Sequence, residues 1–320
     1  MNTPPLLEVR DLIKHFPPSN HAAKDRPVRA VDGISFTLGE GETLGLVGES
    51  GSGKSTAGRA LLRLIEPTAG EVLYRGENLL NVPRERMRML RKEMQIIFQD
   101  PFAAVNPRRR LGNIVEEPFE IHGVGRREER RDKARKLLKK VGLSEDHMER
   151  YPHELSGGQL QRVGIARAIA LNPRLIVADE PVSSLDVSIQ AQVINLLSGL
   201  RRSLGIAFLF ISHDMAVVEH FCDRVAVMYL GKIVEIAPRE RLYAACRHPY
   251  TEALLSSIPT LDAGSKNHKV IQGEVPSAAA PPAGCAFHTR CPIREKRCQE
   301  ETPALRQSTP GHFTACFLRE

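Results

Sequence analysis

The chain has 320 residues, 42% hydrophobic and 26% charged, with a formal net charge of +7. That is an ordinary globular composition, with room for one large domain and a small one. No apolar run approaches the roughly 18 residues of a membrane span, and Met1–Pro5 begins no signal peptide, so a cytoplasmic chain is expected.

Short strands are predicted first, over Leu6–Arg10 and Val31–Leu38, the second with partial alternation at Ile34, Phe36 and Leu38. Pro17–Pro27 is polar and proline-rich and reads as a loop. Phe16 opens it, either packed in the core or free to stack on an adenine.

Thr43–Val47 reads as a short buried strand running into Gly48, Glu49, Ser50, Gly51, Ser52, Gly53, Lys54, Ser55 and Thr56. This stretch matches G-x-x-x-x-G-K-[ST] in full. Glycines let the backbone curl so that several N–H groups face one anion. Lys54 adds a full charge for the β and γ phosphates, and Ser55 offers a hydroxyl to Mg²⁺. The helix predicted from Thr56 adds a partial positive charge at its N-terminus.

Glu71–Tyr74 is a further strand, and 84–94 is predicted helical and basic. Met94–Gln99 reads as a strand ending in a glutamine that can reach a bound metal or water. Residues 111–150 are helical in pattern, with Ala134, Leu137, Leu138 and Val141 as an apolar stripe. Positive charge collects in Arg84–Lys92, Arg108–Arg110 and Arg126–Lys140. Acids are interspersed in the first and last of these, aromatics are 5% and Trp is absent, so a solvated face is expected rather than a nucleic-acid surface.

Ser156 and Gln159 have capping-box spacing, which predicts a helix from Ser156 to about Leu171. Gly157 and Gly158 are poor in a first turn unless the backbone there closely approaches an anion. Leu175–Ala178 reads as a strand buried on both faces. Asp179 and Glu180 fall at its C-terminal end, where ligands of parallel sheets sit. Asp179 suits Mg²⁺ and Glu180 is placed to take a proton from an attacking water. Ser183–Asp186 leads into an amphipathic helix carrying Val193, Leu196, Leu197, Leu200 and Leu204. Ile206–Ile211 is another buried strand, with His213 just beyond it.

Together these residues resemble the ATP-binding subunits of ABC transporters, over about residues 6–245. Gly48–Ser55 is similar to the Walker A loop, Gln99 to the Q-loop glutamine and Leu155–Gln159 to the family signature. Asp179-Glu180 resembles the end of Walker B, Ser184–Asp186 the D-loop and His213 the switch histidine. The resemblance implies an α/β P-loop NTPase of ABC type: a RecA-like core, an antiparallel β subdomain, a helical signature subdomain over about 100–170 and a small C-terminal extension. It implies a head-to-tail dimer in which each ATP lies between the Walker A of one subunit and the Ser-Gly-Gly of the other. Phe16 would then stack on adenine, Ser55, Gln99 and Asp179 would serve Mg²⁺ and the γ-phosphate, Glu180 would polarise water and His213 would stabilise the transition state.

The tail is similar to the C-terminal extension of oligopeptide/dipeptide importers, closest to their F-type ATPase subunit, through His248–Thr251, Ala253–Leu255, Gly273–Ser277, Pro281-Pro282 and Gly284-Cys285. This implies a division at 1–245 and 246–320. It also implies two permease subunits, a second ATPase, an extracytoplasmic peptide-binding protein, and a place on the cytoplasmic face of the inner membrane. A soluble ABC ATPase of DNA repair or translation, and an importer of another cargo such as nickel, are the alternatives.

Cys222 and Cys246 read as small buried hydrophobes. Cys285, Cys291, Cys298 and Cys316 are separated by 5, 6 and 17 residues, with no C-x-x-C. A [4Fe–4S] cluster is the leading expectation there, ahead of zinc and of free thiols. His288 and His312 are expected to be surface residues rather than ligands.

Overall fold

Two short, largely apolar segments form strands that lead into the sequence motifs. In a computed structural model, which describes residues 4–17, 26–258 and 273–319, Thr43–Val47 and Leu175–Asp179 are buried along their whole length. Burial on both faces is why neither alternates. Each fully buried Leu or Val contributes about 1.5–3 kcal/mol.

The chain divides into two compact units, one of Met1–Gly39, Thr43–Asn81 and Ser212–Glu320, the other of Glu40–Glu42 and Val82–Ile211. In the first unit, Val28–Leu38, Leu7–Phe16, Ala69–Tyr74 and Glu77–Asn78 lie side by side as an antiparallel sheet. The first strand is longer than the predicted Leu6–Arg10 because it passes through an irregularity at Asp11 and continues to Phe16. Asp11 takes φ 44, and Ser35 Oγ accepts its N–H and donates to its carboxylate. Part of the predicted Pro17–Pro27 loop, residues 18–25, lies outside the described residues.

A second layer of this unit sets Thr43–Val47 parallel to Arg224–Tyr229, which runs antiparallel to Lys232–Pro238. The tail continues the layer: His312–Thr314 pairs with Lys232–Pro238, and Arg306–Thr309 with His312–Thr314. The helix Met215–Phe221 packs on Thr43–Val47 at Gly45, where a side chain would come within 3.0 Å of Val218 and Cys222. Cys222 is thus a buried hydrophobe as expected, whereas Cys246 is only half-buried.

In the second unit, Met94–Ile97, Leu175–Asp179 and Ala207–Ser212 are parallel, with Ile97 opposite Ala178 and Asp179 opposite Ile211. The predicted helix 84–94 stops at Leu90 because Met94 already belongs to the strand. The charged stretch 111–150 resolves into Leu111–Ile121, Arg127–Lys140 and a 3₁₀ turn at Glu145–Glu149. Ile114, Phe119, Ala134, Leu138, Leu160 and Val163 form its buried side, together with the helix Gly157–Ala168. Many of the arginines outside are paired: Arg109 with Glu117 and Glu120, Arg110 and Arg131 with Glu149, Arg135 with Glu145.

Candidate functional site

The loop after Thr43–Val47 exists only because of its glycines. Gly48 lies at φ 155 and Gly53 at φ 103. A Cβ would meet Met228 O at 2.1 Å in the first and Ala30 O at 1.9 Å in the second. Backbone bonds close the turn, from Ser52 N to Glu49 O and from Gly231 N to Ser52 O. Lys54 begins the helix Lys54–Leu61 and is 4% exposed. Its Nζ donates to Gly48 O at 2.7 Å and Glu49 O at 3.0 Å. An ammonium wrapped by a curled backbone at a helix start is an arrangement suited to phosphate.

Phe16 ends its strand opposite Val28, with Lys14 Nζ 4.9 Å from the ring centroid. It is 37% exposed, so the ring is not a core residue. His213 is exposed between two anchored neighbours. Ser212 Oγ accepts from Asp214 N, and the Asp214 carboxylate caps the helix Met215–Phe221 through Ala216 N and Val217 N.

In the second unit, Asp179 is buried at the end of its strand. Glu180 follows with φ 45, a left-handed conformation that a residue with a Cβ adopts at a cost of about 1–2 kcal/mol. Its N–H is fixed by Ile211 O at 3.0 Å. Gln99, two residues beyond Met94–Ile97, donates from Nε2 to Glu180 Oε2 at 2.9 Å. Ser156 forms the expected capping box with Gln159: its N–H donates to Gln159 Oε1 at 3.1 Å, and its Oγ accepts from Gln159 N at 3.3 Å. Against this helix start lies the turn that contains Asp186: a Cβ on Gly157 would stand 3.5 Å from Leu185, and one on Gly158 only 2.5 Å from Ile189. Asp186 itself is exposed. The structure thus brings Gln99 to Glu180, and the Ser156–Gln159 helix start to the Ser184–Asp186 turn.

Sequence reasoning missed the residues that grip Glu49. Tyr250 Oη accepts from Glu49 N at 2.8 Å. Arg290 donates to both carboxylate oxygens, at 2.7 and 3.0 Å, and to Tyr229 Oη at 3.4 Å. A separation of 241 residues leaves no local signal for this pair.

Cys285, Cys291 and Cys316 are half-buried and Cys298 is buried, all as free thiols. They lie close enough to influence one another's charge, and Cys285 N donates to Cys298 O at 2.8 Å. Burial pushes the Cys285 thiol up to about 11 and raises Cys291 and Cys316. Backbone N–H groups of Phe287, Ile293, Leu318 and Arg319 counter this at the sulfurs. Among the described residues, no group of three or more His, Cys, Asp or Glu is set to hold a metal ion. His312 is not a surface residue: it is 2% exposed, with Nε2 2.6 Å from Glu235 Oε1. His288 Nδ1 lies 2.9 Å from Cys285 O.

The parallel strands, curled Gly-rich loop and Ser-Gly-Gly helix start define a P-loop nucleotide-binding protein of the ATP-binding-cassette class. A family model described as ABC transporter matches residues 31–183, and one described as oligopeptide/dipeptide transporter, C-terminal region, matches 234–298. The chain is 52% identical over 323 residues to the oligopeptide transport ATP-binding protein AppF of Bacillus subtilis, covering 99% of this chain and 98% of that one. It is equally identical, at 52% over 318 residues, to a putative peptide import ATP-binding protein of Brucella ovis, with 99% of each covered. Among solved structures it is similar to the cassette MJ0796 in a dimeric post-hydrolysis state bound to ADP and Pi, with a TM-score of 0.66, 29% identity, and 73% of this chain and 98% of that one covered. Similar also is CbiO1 of Clostridium perfringens, part of an ABC transporter complex, at TM-score 0.65 and 26% identity, covering 75% and 91%. The chain belongs to the ABC transporter ATP-binding proteins of the oligopeptide/dipeptide branch.

Proposed function

We propose that this chain is the ATP-hydrolysing subunit that powers peptide import through a membrane ABC transporter. The observation that carries the cargo reading is the segment matched to the oligopeptide/dipeptide transporter region, residues 234–298: it opens in the sheet of the phosphate loop and carries the Arg290 that grips Glu49. Residues 1–245 then serve as the nucleotide-binding domain and 246–320 as its extension.

Lys54 and the loop N–H groups neutralise the triphosphate, and Phe16 stacks on the adenine. Ser55 and Asp179 supply hard oxygen donors suited to Mg²⁺, with Gln99 reporting the γ-phosphate. Mg²⁺, when bound, offsets charge on the β and γ oxygens. Glu180 orients and deprotonates the attacking water, and His213 stabilises charge in the transition state. Hydrolysis at such a site is mainly positioning and electrostatics, which agrees with the constraint on Glu180 from its backbone and from Gln99. Ser156, Gly157, Gly158, Gln159 and Asp186 complete the partner's site in a head-to-tail dimer. The dimeric MJ0796 cassette with ADP and Pi supports that arrangement.

The partner is a second, related ATPase, and the pair drives two permeases fed by an extracytoplasmic peptide-binding protein. No helix among the described residues is long and apolar enough to cross a membrane. In this reading the chain sits on those permeases, at the cytoplasmic face of the inner membrane. Cys285, Cys291, Cys298 and Cys316 are the residues that would hold a [4Fe–4S] cluster. The observation behind this reading is that the four thiols lie close enough to influence one another's charge, although among the described residues they are not set to hold a single metal ion. Iron and sulfide assays on anaerobically purified protein test this, and absence of both removes the cluster.

The test of the main reading is purification of the tagged chain from membranes in mild detergent. Two multi-spanning permeases and a second ATPase are expected with it. Recovery only from the soluble fraction, alone or with nucleic acid, overturns it.

A further inference from the structure

Glu49 is an odd residue for its position. It is the second residue of a loop that must receive a polyanion, and its carboxylate opposes the charge of Lys54. The tail removes that conflict. Arg290 meets the carboxylate in a fork of two hydrogen bonds at 2.7 and 3.0 Å, the strong bidentate form of this pair. The Arg290 side chain is 6% exposed and that of Glu49 27%, so solvent screens the pair poorly. The backbone of the same residue is held independently, by Tyr250 Oη on Glu49 N.

The support behind Arg290 is rigid. Its guanidinium reaches Tyr229 Oη, and the rings of Tyr229, Tyr250 and Phe287 pack against one another at 4.7 to 5.4 Å. Tyr229 ends the strand beside Thr43–Val47, and Phe287 O accepts from Arg290 N. We propose that Arg290 is a positioning residue for ATP: it neutralises and pins Glu49, so that the tail completes the cationic character of the phosphate loop. The reaction gains a requirement lying 241 residues from the loop it serves.

This inference rests on Gly48–Thr56 being the phosphate loop, and the experiment separates the two. ATP affinity is measured on the full chain with a fluorescent ATP analogue, for Lys54→Ala, Arg290→Gln, Glu49→Gln and the double variant Glu49→Gln/Arg290→Gln. Loss of binding in Lys54→Ala establishes the loop, and unchanged binding there overturns the loop reading itself. With the loop established, Arg290→Gln is expected to weaken ATP about tenfold, the effect of one uncompensated charge near the phosphates in a partly screened site. The double variant is expected to return to within about threefold of the parent, since removing the carboxylate removes the need for the arginine. A bond that only fastens the tail predicts no such rescue. Parental affinity in Arg290→Gln, or a double variant as weak as the single, overturns the proposal. Should Arg290→Gln fail to fold, Glu49→Gln decides by sign: tighter ATP binding supports the proposal, weaker binding overturns it.

Discussion

Gln99 Nε2 donates to Glu180 Oε2 across 2.9 Å, joining the ends of two parallel strands 81 residues apart in sequence. The bond orients a carboxylate whose backbone is already fixed at φ 45 by Ile211 O. In the general-base role proposed for it, such a carboxylate contributes about 10²–10⁴-fold to rate. Glu180→Gln should therefore retain ATP and lose at least about 100-fold in phosphate release. Binding and single-turnover hydrolysis, measured on one preparation, check this; turnover near that of the parent removes Glu180 from the role.

Gly53→Ala should abolish ATP binding. The new Cβ would sit 1.9 Å from Ala30 O, on a backbone at φ 103. Neither the carbonyl nor the loop can yield without moving the strand Val28–Leu38 or the start of the helix that carries Lys54. Nucleotide titration and a thermal melt together distinguish a displaced loop from a destabilised chain.

The strands and motif positions are legible because their signals are local. Leu175–Asp179 announces itself by an uninterrupted apolar run, and the Ser156 cap by its three-residue spacing to Gln159. The parallel order follows only from motif and resemblance, since a buried strand carries no mark of its neighbour. His312 reads as a surface residue in sequence because the carboxylate that buries it, Glu235, lies 77 positions away. Arg290 leaves no signal for the same reason, and Leu7–Phe16 outruns its prediction because Ser35 stabilises the irregularity at Asp11 from another strand.

Ser156→Ala should lower stability by about 1 kcal/mol, the usual worth of an N-cap, because Gln159 N loses its acceptor. If this helix start completes a partner's ATP site, hydrolysis by the assembled dimer should fall much further than that stability change explains. Urea unfolding of the chain and ATPase assays of the complex make the comparison. A hydrolysis loss no larger than the unfolded fraction would leave Ser156 as a cap only.

Mild acid should destabilise the tail through His248. This residue is buried, and burial pushes its imidazole from 6.5 down to about 4, with nearby Glu235 opposing and Arg319 adding to the effect. Its Nδ1 accepts from Tyr250 N at 3.1 Å and so caps the helix Pro249–Ser256, and a second ring proton would also remove that acceptor. The unfolded chain takes up this proton first, near pH 6.5, while the folded chain resists it until about pH 4. Stability from the neutral ring is therefore full above pH 6.5 and declines as pH falls toward 4, by about 2 kcal/mol between pH 7 and 5. Glu235, held below its ordinary value despite burial by His312, Thr251 and the backbone of Arg247 and His248, adds a loss of the same sign at lower pH. Urea unfolding of the parent and of His248→Asn, which keeps a capping acceptor without the titrating ring, at pH 7 and 5 measures the His248 share. The variant should lose clearly less stability than the parent over that interval, and equal losses in the two chains would place the acid sensitivity elsewhere.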